Sequence, residues 1–510
     1  MSDQGRNLEN VLSVLPEPAL EFRYHQKAID PHDGLALYGP YDADLPMHPK
    51  NISYCLIGTP TGISLFRDFA GVLAGPVISE REPRKLRLWP AYPGFDVAFD
   101  CSWPDAPTKT FEIDAEKLDA ACRDADPNKR AYNVVEEYLQ SISAIAKAEL
   151  VPDVVVCAVP DSVYRNCRPQ SPNPKDPIGT RPSYSERVLR AGYVRNILAL
   201  EEETSPYRFS VDFRRQLKAR AMTFEIPIQI LRESVLRPSD APPARGERTL
   251  TPLSDRAWNI SLALFYKCGG RPWRLSTARD GVCYVGIVFR RADPYMMKDT
   301  ACCAAQMFLD DGDGIVLRGD FGPWYSSESK EFHLTGQAAK NLLSKVLTTY
   351  RETFGKPLKE VFLHYRISIN DEEYAGFRAA CPDDVKLVAV RVHNEQGVRL
   401  YREGTRPVRR GTLWRTSESS CYLWASGFKP RLGTYDGSET PVPLSINVER
   451  GKGAITQVAT DILGLTKLNF NECKYGDSRP VTIGFSESVG EILVSNPTIK
   501  NPSPRFKHYI

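Results

Sequence analysis

Apolar positions along the chain alternate between two periods. Residues 129–150 (KRAYNVVEEYLQSISAIAKAEL) carry apolar side chains at helical spacing, as do residues 336–354 (GQAAKNLLSKVLTTYRETF), so both are expected to form amphipathic helices. Between them lies PDVVVCAVP, a short Val-rich run with no polar interruption, the pattern of a strand buried in a parallel sheet. Residues 52–75 (ISYCLIGTPTGISLFRDFAGVLAG) read as a strand, a Gly/Pro turn and a helix. YPGF at 92–95, followed by alternating DVAFDCSW, predicts another strand.

From Ala257 the pattern changes. GVCYVGIVFRR predicts a strand, and CCAAQMFLDDGDGIVLRGD two strands about a Gly/Asp turn. The 336–354 helix follows, then the strand KEVFLHYR, a short helix NDEEYAGFRAA capped by Asn370, and the strand VKLVAVRVHN. This order fits an RNase H-like fold. Two Pro-rich stretches interrupt the chain, a loop at 166–186 and a linker at 237–256. The expected fold class is α/β, with a Rossmann-like unit followed by an RNase H-like one.

Composition narrows this picture only a little. The 510 residues are long enough for two or three domains with their own cores. Apolar content of 42% and charged content of 25% are ordinary for a globular protein. A net charge of +3 argues nothing about nucleic acid, so any such binding must come from local clusters. No run approaches the roughly 18 apolar residues of a membrane span. The twelve cysteines are scattered without a CxxC pair, which argues against zinc and suits reduced thiols in a cytoplasm. No nucleotide fingerprint or nucleophile motif supports a metabolic enzyme.

The chemistry concentrates in residues 207–233, YRFSVDFRRQLKARAMTFEIPIQILRE. Ser210 is placed to cap a helix beginning near Val211. Arg214 and Lys218, four apart, share a helical face. Pro227 ends an extended bit, Gln229 opens the next apolar run, and Lys267 follows in SLALFYKCGG. Two cations on one face, an amide and a third cation can surround one compact anion, and phosphate suits such charge-assisted bonds. The commoner fate of a run such as RRQLKAR is a solvated basic face.

The surrounding text resembles a known family. PDVVVCAVPDSVY, FRRQLKARAM and IPIQILRE resemble the MID domain of Argonaute proteins, in which a four-residue pocket holds the 5′ phosphate of a guide strand. Arg214, Lys218, Gln229 and Lys267 match that pocket, with Arg214 where many relatives have Tyr or His. PVPLSINV, ATDILGLTKLNFNECK and PVTIGFSESVGEIL resemble the PIWI domain, and GPYD the opening of short prokaryotic Argonautes. The resemblance implies a lead-in segment at 1–110 packing on the two lobes, a MID domain at 111–256 and a PIWI domain at 257–510. With the pocket strand beginning near Pro152, it implies a short form with MID and PIWI only.

It also implies an inactive PIWI domain. The first Asp of a metal-holding tetrad belongs at Val288, and a second just after KEVFLHYR, where the chain has His364, Tyr365, Arg366 and Ile367. His364 reads as a packed strand residue, and Asp371, Glu372 and Glu373 as the favoured acids of a helix start. Arg290 and Arg291, with Arg409 and Arg410 in TRPVRRGTLWR, suit backbone phosphates. Mg2+ at the guide 5′ phosphate would draw on Gln229 and Ile510. The family further implies a small guide RNA, a complementary single-stranded DNA of an invading phage or plasmid, and a cytoplasmic heterodimer. The partner would be an APAZ-domain effector, either an NAD-degrading TIR or sirtuin-like protein or a nuclease, serving antiviral immunity. The alternative is a guided nuclease using displaced carboxylates such as Asp310, Asp313, Asp320 or Asp371.

Overall fold

The computed structural model describes residues 11–78, 87–171, 205–240, 250–291, 301–308, 314–325, 331–354, 357–496, 499 and 502–510. Its core is organised by two large sheets, one parallel and one mixed.

The four-stranded sheet is wholly parallel, in the order Lys109–Glu112, Tyr54–Gly58, Val154–Val159, Ile228–Arg232. Val154–Val159 is buried along its whole length, which is why its sequence is an unbroken apolar run. The helix Pro127–Ala146 turns Val134, Val135, Tyr138, Leu139, Ile142 and Ile145 onto this sheet, packing with Ile57, Val155 and Cys157. The helix Pro60–Ala74 is started by Thr59, whose hydroxyl accepts from the Gly62 amide at 3.2 Å.

The nine-stranded sheet runs Val11–Val14, Thr412–Arg415, Ser420–Trp424, Leu444–Arg450, Lys386–Asn394, Glu360–Tyr365, Val282–Arg291, Ala301–Phe308, Gly314–Gly322. Only Glu360–Tyr365 pairs in parallel, with both of its neighbours. The helices Gly336–Phe354 and Asp371–Ala380 cover one face, where Leu343, Val346 and Leu347 meet Val285, Val361 and Leu363. Asn370 caps the second helix in a reciprocal box with Glu373. The helices Ile455–Leu465 and Val481–Ser495 lie on the opposite face.

The early residues serve both sheets. Val11–Val14 is an edge of the large one, and Tyr54–Gly58 is central in the small one. The sequence-based division at 110/111 therefore falls inside the strand Lys109–Glu112, and that at 256/257 inside the helix Leu253–Lys267. Residues 172–204 and 241–249, which take in most of the first Pro-rich stretch and the middle of the second, lie outside the described residues.

Two local expectations are corrected. DVAFDCSW does not form a strand: Phe95–Phe99 is a short helix that buries Phe95, Ala98 and Phe99, and Asp100 ends it in the left-handed region at φ 48°. Its apolar residues satisfy an i, i+3, i+4 face as well as an alternation, and packing decides. The pocket helix starts at Phe213, not Val211, and its cap is Asp212, which accepts from the Arg215 amide at 3.1 Å. Ser210 instead makes a turn one step earlier, its hydroxyl accepting from Asp212 N at 3.2 Å. A carboxylate answers the positive end of the helix better than a hydroxyl.

Candidate phosphate-binding pocket

The helix Phe213–Ala221 follows the parallel sheet's third strand in sequence and presents Arg214, Arg215 and Lys218 on one side. They line a cavity of about 260 Å³ together with Tyr164, Arg168 and Asp212, and with Ser488, Glu491 and Ile492 of the helix Val481–Ser495. Tyr509 closes it from the end of the sequence. Lys218, 3% exposed, donates to the Tyr509 carbonyl at 3.2 Å. Lys267, 1% exposed at the last turn of Leu253–Lys267, donates to Gln229 Oε1 on the neighbouring strand Ile228–Arg232. Lys507 donates to the Lys267 carbonyl at 3.0 Å, tying the C-terminal segment to the same place. Ile510 is buried at 3%.

Of the four residues expected to act together, two line the cavity and two do not. Arg214 and Lys218 line the cavity, and Lys267 with Gln229 stands behind them. The electrostatics are those of a site built for an anion. Burial pushes the Lys218 ammonium well below its ordinary value, and the Arg214 and Lys267 charges push it further. Burial, with Arg214, lowers Lys267 to about 7. Arg214 is exposed at the rim, yet desolvation by the walls around its side chain lowers its value too; Asp212 and Tyr164 oppose the shift, and Arg215 and Arg168 add to it. His508, lowered to about 4 by burial and by Lys507, Arg505, Lys267 and Lys218, adds no charge near neutral pH. Among the described residues no carboxylate pairs with Lys218 or Lys267. Their hydrogen bonds go to neutral oxygens, which offset only part of the cost of a buried ammonium.

Several contributors were not anticipated: Tyr164, Arg168, Arg215, Ser488, Glu491 and Lys507. The Arg168 and Arg232 guanidiniums stand over the Tyr164 ring at 4.0 and 4.4 Å. Arg215 was legible, since it shares the Arg214–Lys218 face at i, i+3. The others come from segments far apart in sequence and leave no local signal.

The remaining candidates divide. Arg409 is exposed. Arg410 is not on the surface as expected: it is 2% exposed, with Nε on both oxygens of Glu17 at 3.1 Å and Nη2 on Thr466 Oγ1 at 2.6 Å, so it holds the fold together. Arg290 is half exposed and pairs with Glu491. Arg291 ends its strand, and its side chain lies outside the described residues. Val288 is buried, and a Cβ on Gly490 of Val481–Ser495 would stand 3.3 Å from its side chain. His364, 1% exposed, shares a 2.8 Å hydrogen bond with Thr482 Oγ1, and burial lowers its pKa to about 3, so it is a neutral packed residue. Asp371 pairs with Arg450 at 2.7 Å. Asp310 and Asp313, and the side chain of Asp320, lie outside the described residues. Among the described residues no three His, Cys, Asp or Glu side chains stand together to hold a metal, and no helix is long and apolar enough to cross a membrane.

No protein-family model and no curated protein matches the chain. Solved structures do. A Clostridium butyricum Argonaute bound to a guide DNA and a 19-mer target DNA superimposes with a TM-score of 0.62 at 13% identity, over 99% of this chain and 55% of that one. An A. aeolicus Argonaute gives 0.57 at 12%, over 98% and 56%. Aa-Ago with externally bound siRNA gives 0.55 at 13%, over 97% and 55%. The chain spans about half the length of these proteins. At such identities the likeness is one of fold: the chain has the α/β architecture of the MID and PIWI portion of Argonautes.

Proposed function

We propose that this chain binds a guide nucleic acid by its 5′ phosphate and presents it to a complementary strand. The observation that carries this is a gathering of three cations: Arg214 and Lys218 line one recess, the Lys267 charge acts on Lys218 from behind it, and among the described residues no carboxylate pairs with either lysine. A phosphate supplies the missing negative charge, and each charged contact is worth roughly 1.5–3 kcal/mol. That neighbours of the same fold are solved with guide and target DNA, or with siRNA, supports a strand as the bearer of that phosphate. Gln229 and Ile510 would share a Mg2+ only together with phosphate oxygens, because the charged side chains around them are cations and Gln229 already accepts from Lys267.

The test compares a 5′-phosphorylated with a 5′-hydroxyl guide, as RNA and as DNA. Lys218→Ala is expected to weaken the phosphorylated guide about ten- to a hundredfold and to leave the hydroxyl guide nearly unchanged. Equal losses for both would remove the pocket.

In this reading the large sheet is a cradle without cleavage. Val288 and Arg366 stand where metal-binding carboxylates would be needed, and Gly490 packs over Val288. Incubation with guide, labelled complement and Mg2+ or Mn2+ is expected to leave the complement intact; cleavage abolished by EDTA would overturn this. The wider role is a sensor of prokaryotic immunity: an RNA guide recruits invader single-stranded DNA and switches on an APAZ-domain effector, an NAD-degrading enzyme or a nuclease. The resemblance in sequence supports this role, and co-purification of the chain with its partner and bound nucleic acid tests it.

A further inference from the structure

A ladder of charge runs along one side of the helix Val481–Ser495. Arg479, just before the helix, and Arg366, just past the strand Glu360–Tyr365, both hold Glu487, the first with Nη1 on Oε2 at 3.0 Å. One turn further on, Glu491 is held by Arg290 of Val282–Arg291 and by Arg215 of the pocket helix, the latter at 2.5 Å. Arg366 lies two residues past His364, the register partner of Gly286, and so leaves the end of that strand.

Three features distinguish this ladder from a solvated network. Four guanidiniums share two carboxylates, so positive charge is in excess. The Arg290, Arg366 and Arg479 side chains are 41, 51 and 36% exposed, while Glu491 and Glu487 are 20 and 30% exposed, so the acids lie below and the cations face out. The arginines also crowd each other: burial lowers Arg366, and Arg479 and Arg290 lower it further. The ladder is continuous with the pocket, since Arg215 and Glu491 line both.

We infer that Arg290, Arg366 and Arg479 form a second, metal-free phosphate clamp that takes a phosphodiester of the bound nucleic acid. This rests on the guide-binding reading. A guanidinium has five donors in a planar fork, and each of these spends only part of them on its glutamate. Each glutamate holds its arginines' forks in place, and a glutamine, which still accepts through Oε1, would keep that placement while removing the opposing charge. The phosphodiester comes either from the strand whose 5′ end occupies the pocket or from its complement.

Both sources are tested with single methylphosphonate linkages, which remove one backbone charge, scanned through a 5′-phosphorylated guide and separately through its complement. In the wild-type protein one or two adjacent linkages in one strand are expected to cost about tenfold in affinity. In Arg366→Gln the same linkages cost nothing further, and the preference for a 5′-phosphorylated over a 5′-hydroxyl guide stays intact. Glu487→Gln, which keeps the arginines and frees their charge, is expected to bind several-fold tighter at low salt. Full wild-type affinity in Arg366→Gln, an undiminished penalty at every linkage in that variant, or weaker binding by Glu487→Gln would overturn the clamp. Loss of 5′-phosphate discrimination by the wild-type protein would instead fault the pocket, and the linkage scan would still decide the clamp.

Discussion

Two groups of buried cations among the described residues are built in opposite ways. In the first, Arg410 and Lys467 close on Glu17, Lys467 Nζ at 3.0 Å from Oε1 and also donating to the Ile29 carbonyl at 2.5 Å. Lys429 pairs with Asp436 at 2.7 Å, and the carbonyls of Ala425 and Asp477 accept from Arg410. Burial works to raise Glu17, but Arg410 and Lys467 outweigh it and hold its pKa low. In the second group Lys218 and Lys267 meet a carbonyl and an amide, and each other's charge. Lys467, with its glutamate, is lowered to about 8, whereas Lys267 is lowered to about 7. Burial of a cation therefore does not by itself mark a ligand site; the two groups differ in whether a carboxylate answers the charge.

The largest effect that follows concerns stability. Glu17→Gln would leave Arg410 and Lys467 buried and uncompensated, and is expected to cost about 3–5 kcal/mol in urea unfolding. Lys218→Met, which keeps the side-chain volume and removes a repelling charge, is expected to leave the ligand-free protein as stable or more so, while phosphorylated-guide affinity falls about ten- to a hundredfold. Equal destabilisation by the two substitutions would break the comparison.

The next effect is on pH. The folded-state pKa of Lys267, about 7, lies below the 10.5 of an exposed lysine. Above 10.5 both folded and unfolded chains hold it neutral. As pH falls from there to about 7 the unfolded chain gains the proton and the folded chain does not, so the free protein loses stability over that window and no more below it. Lys218 acts in the same direction. A bound phosphate favours the charged lysines, so binding at pH 8 should take up protons and weaken as pH rises further. Calorimetry in two buffers of different ionisation enthalpy measures this uptake; identical heats, buffer for buffer, would show that the lysines are already charged.

How much of this was legible depended on distance along the chain. Val154–Val159 is an unbroken apolar run because both faces of its sheet are covered, and Arg214 and Lys218 declare a shared face through their spacing. Lys267 could be offered as a third cation, but nothing local ties it to a helix some fifty residues earlier, and only the resemblance assigned it to the same pocket. Glu491 could not be read at all: it faces Arg215 and Arg290 because the helix Val481–Ser495 lies between the pocket helix and the strand Val282–Arg291, a tertiary fact. Phe95–Phe99 was misread because five residues satisfy two periods at once.

Arg409 and Arg410 give the finest version of the comparison and the smallest expected effect. They are neighbours of one residue type and looked equivalent as backbone contacts. Residue 409 bridges in parallel to Phe428, and the chain turns directly after it, with Thr412 N donating to the Arg409 carbonyl at 3.2 Å. Arg410 went inward to Glu17, and Arg409 stayed exposed. As a surface phosphate contact Arg409 would add affinity without reading sequence, and the salt dependence of binding counts such contacts. Arg409→Ala is expected to keep the unfolding midpoint, weaken phosphorylated and hydroxyl guides alike by a few-fold, and reduce the slope of log K against log salt by about 1. An unchanged slope would take Arg409 off the nucleic-acid path. Arg410→Ala, by contrast, should act through stability, because it removes one of the two cations that hold Glu17 and its hydrogen bonds to Thr466 and two carbonyls, rather than a contact to a strand.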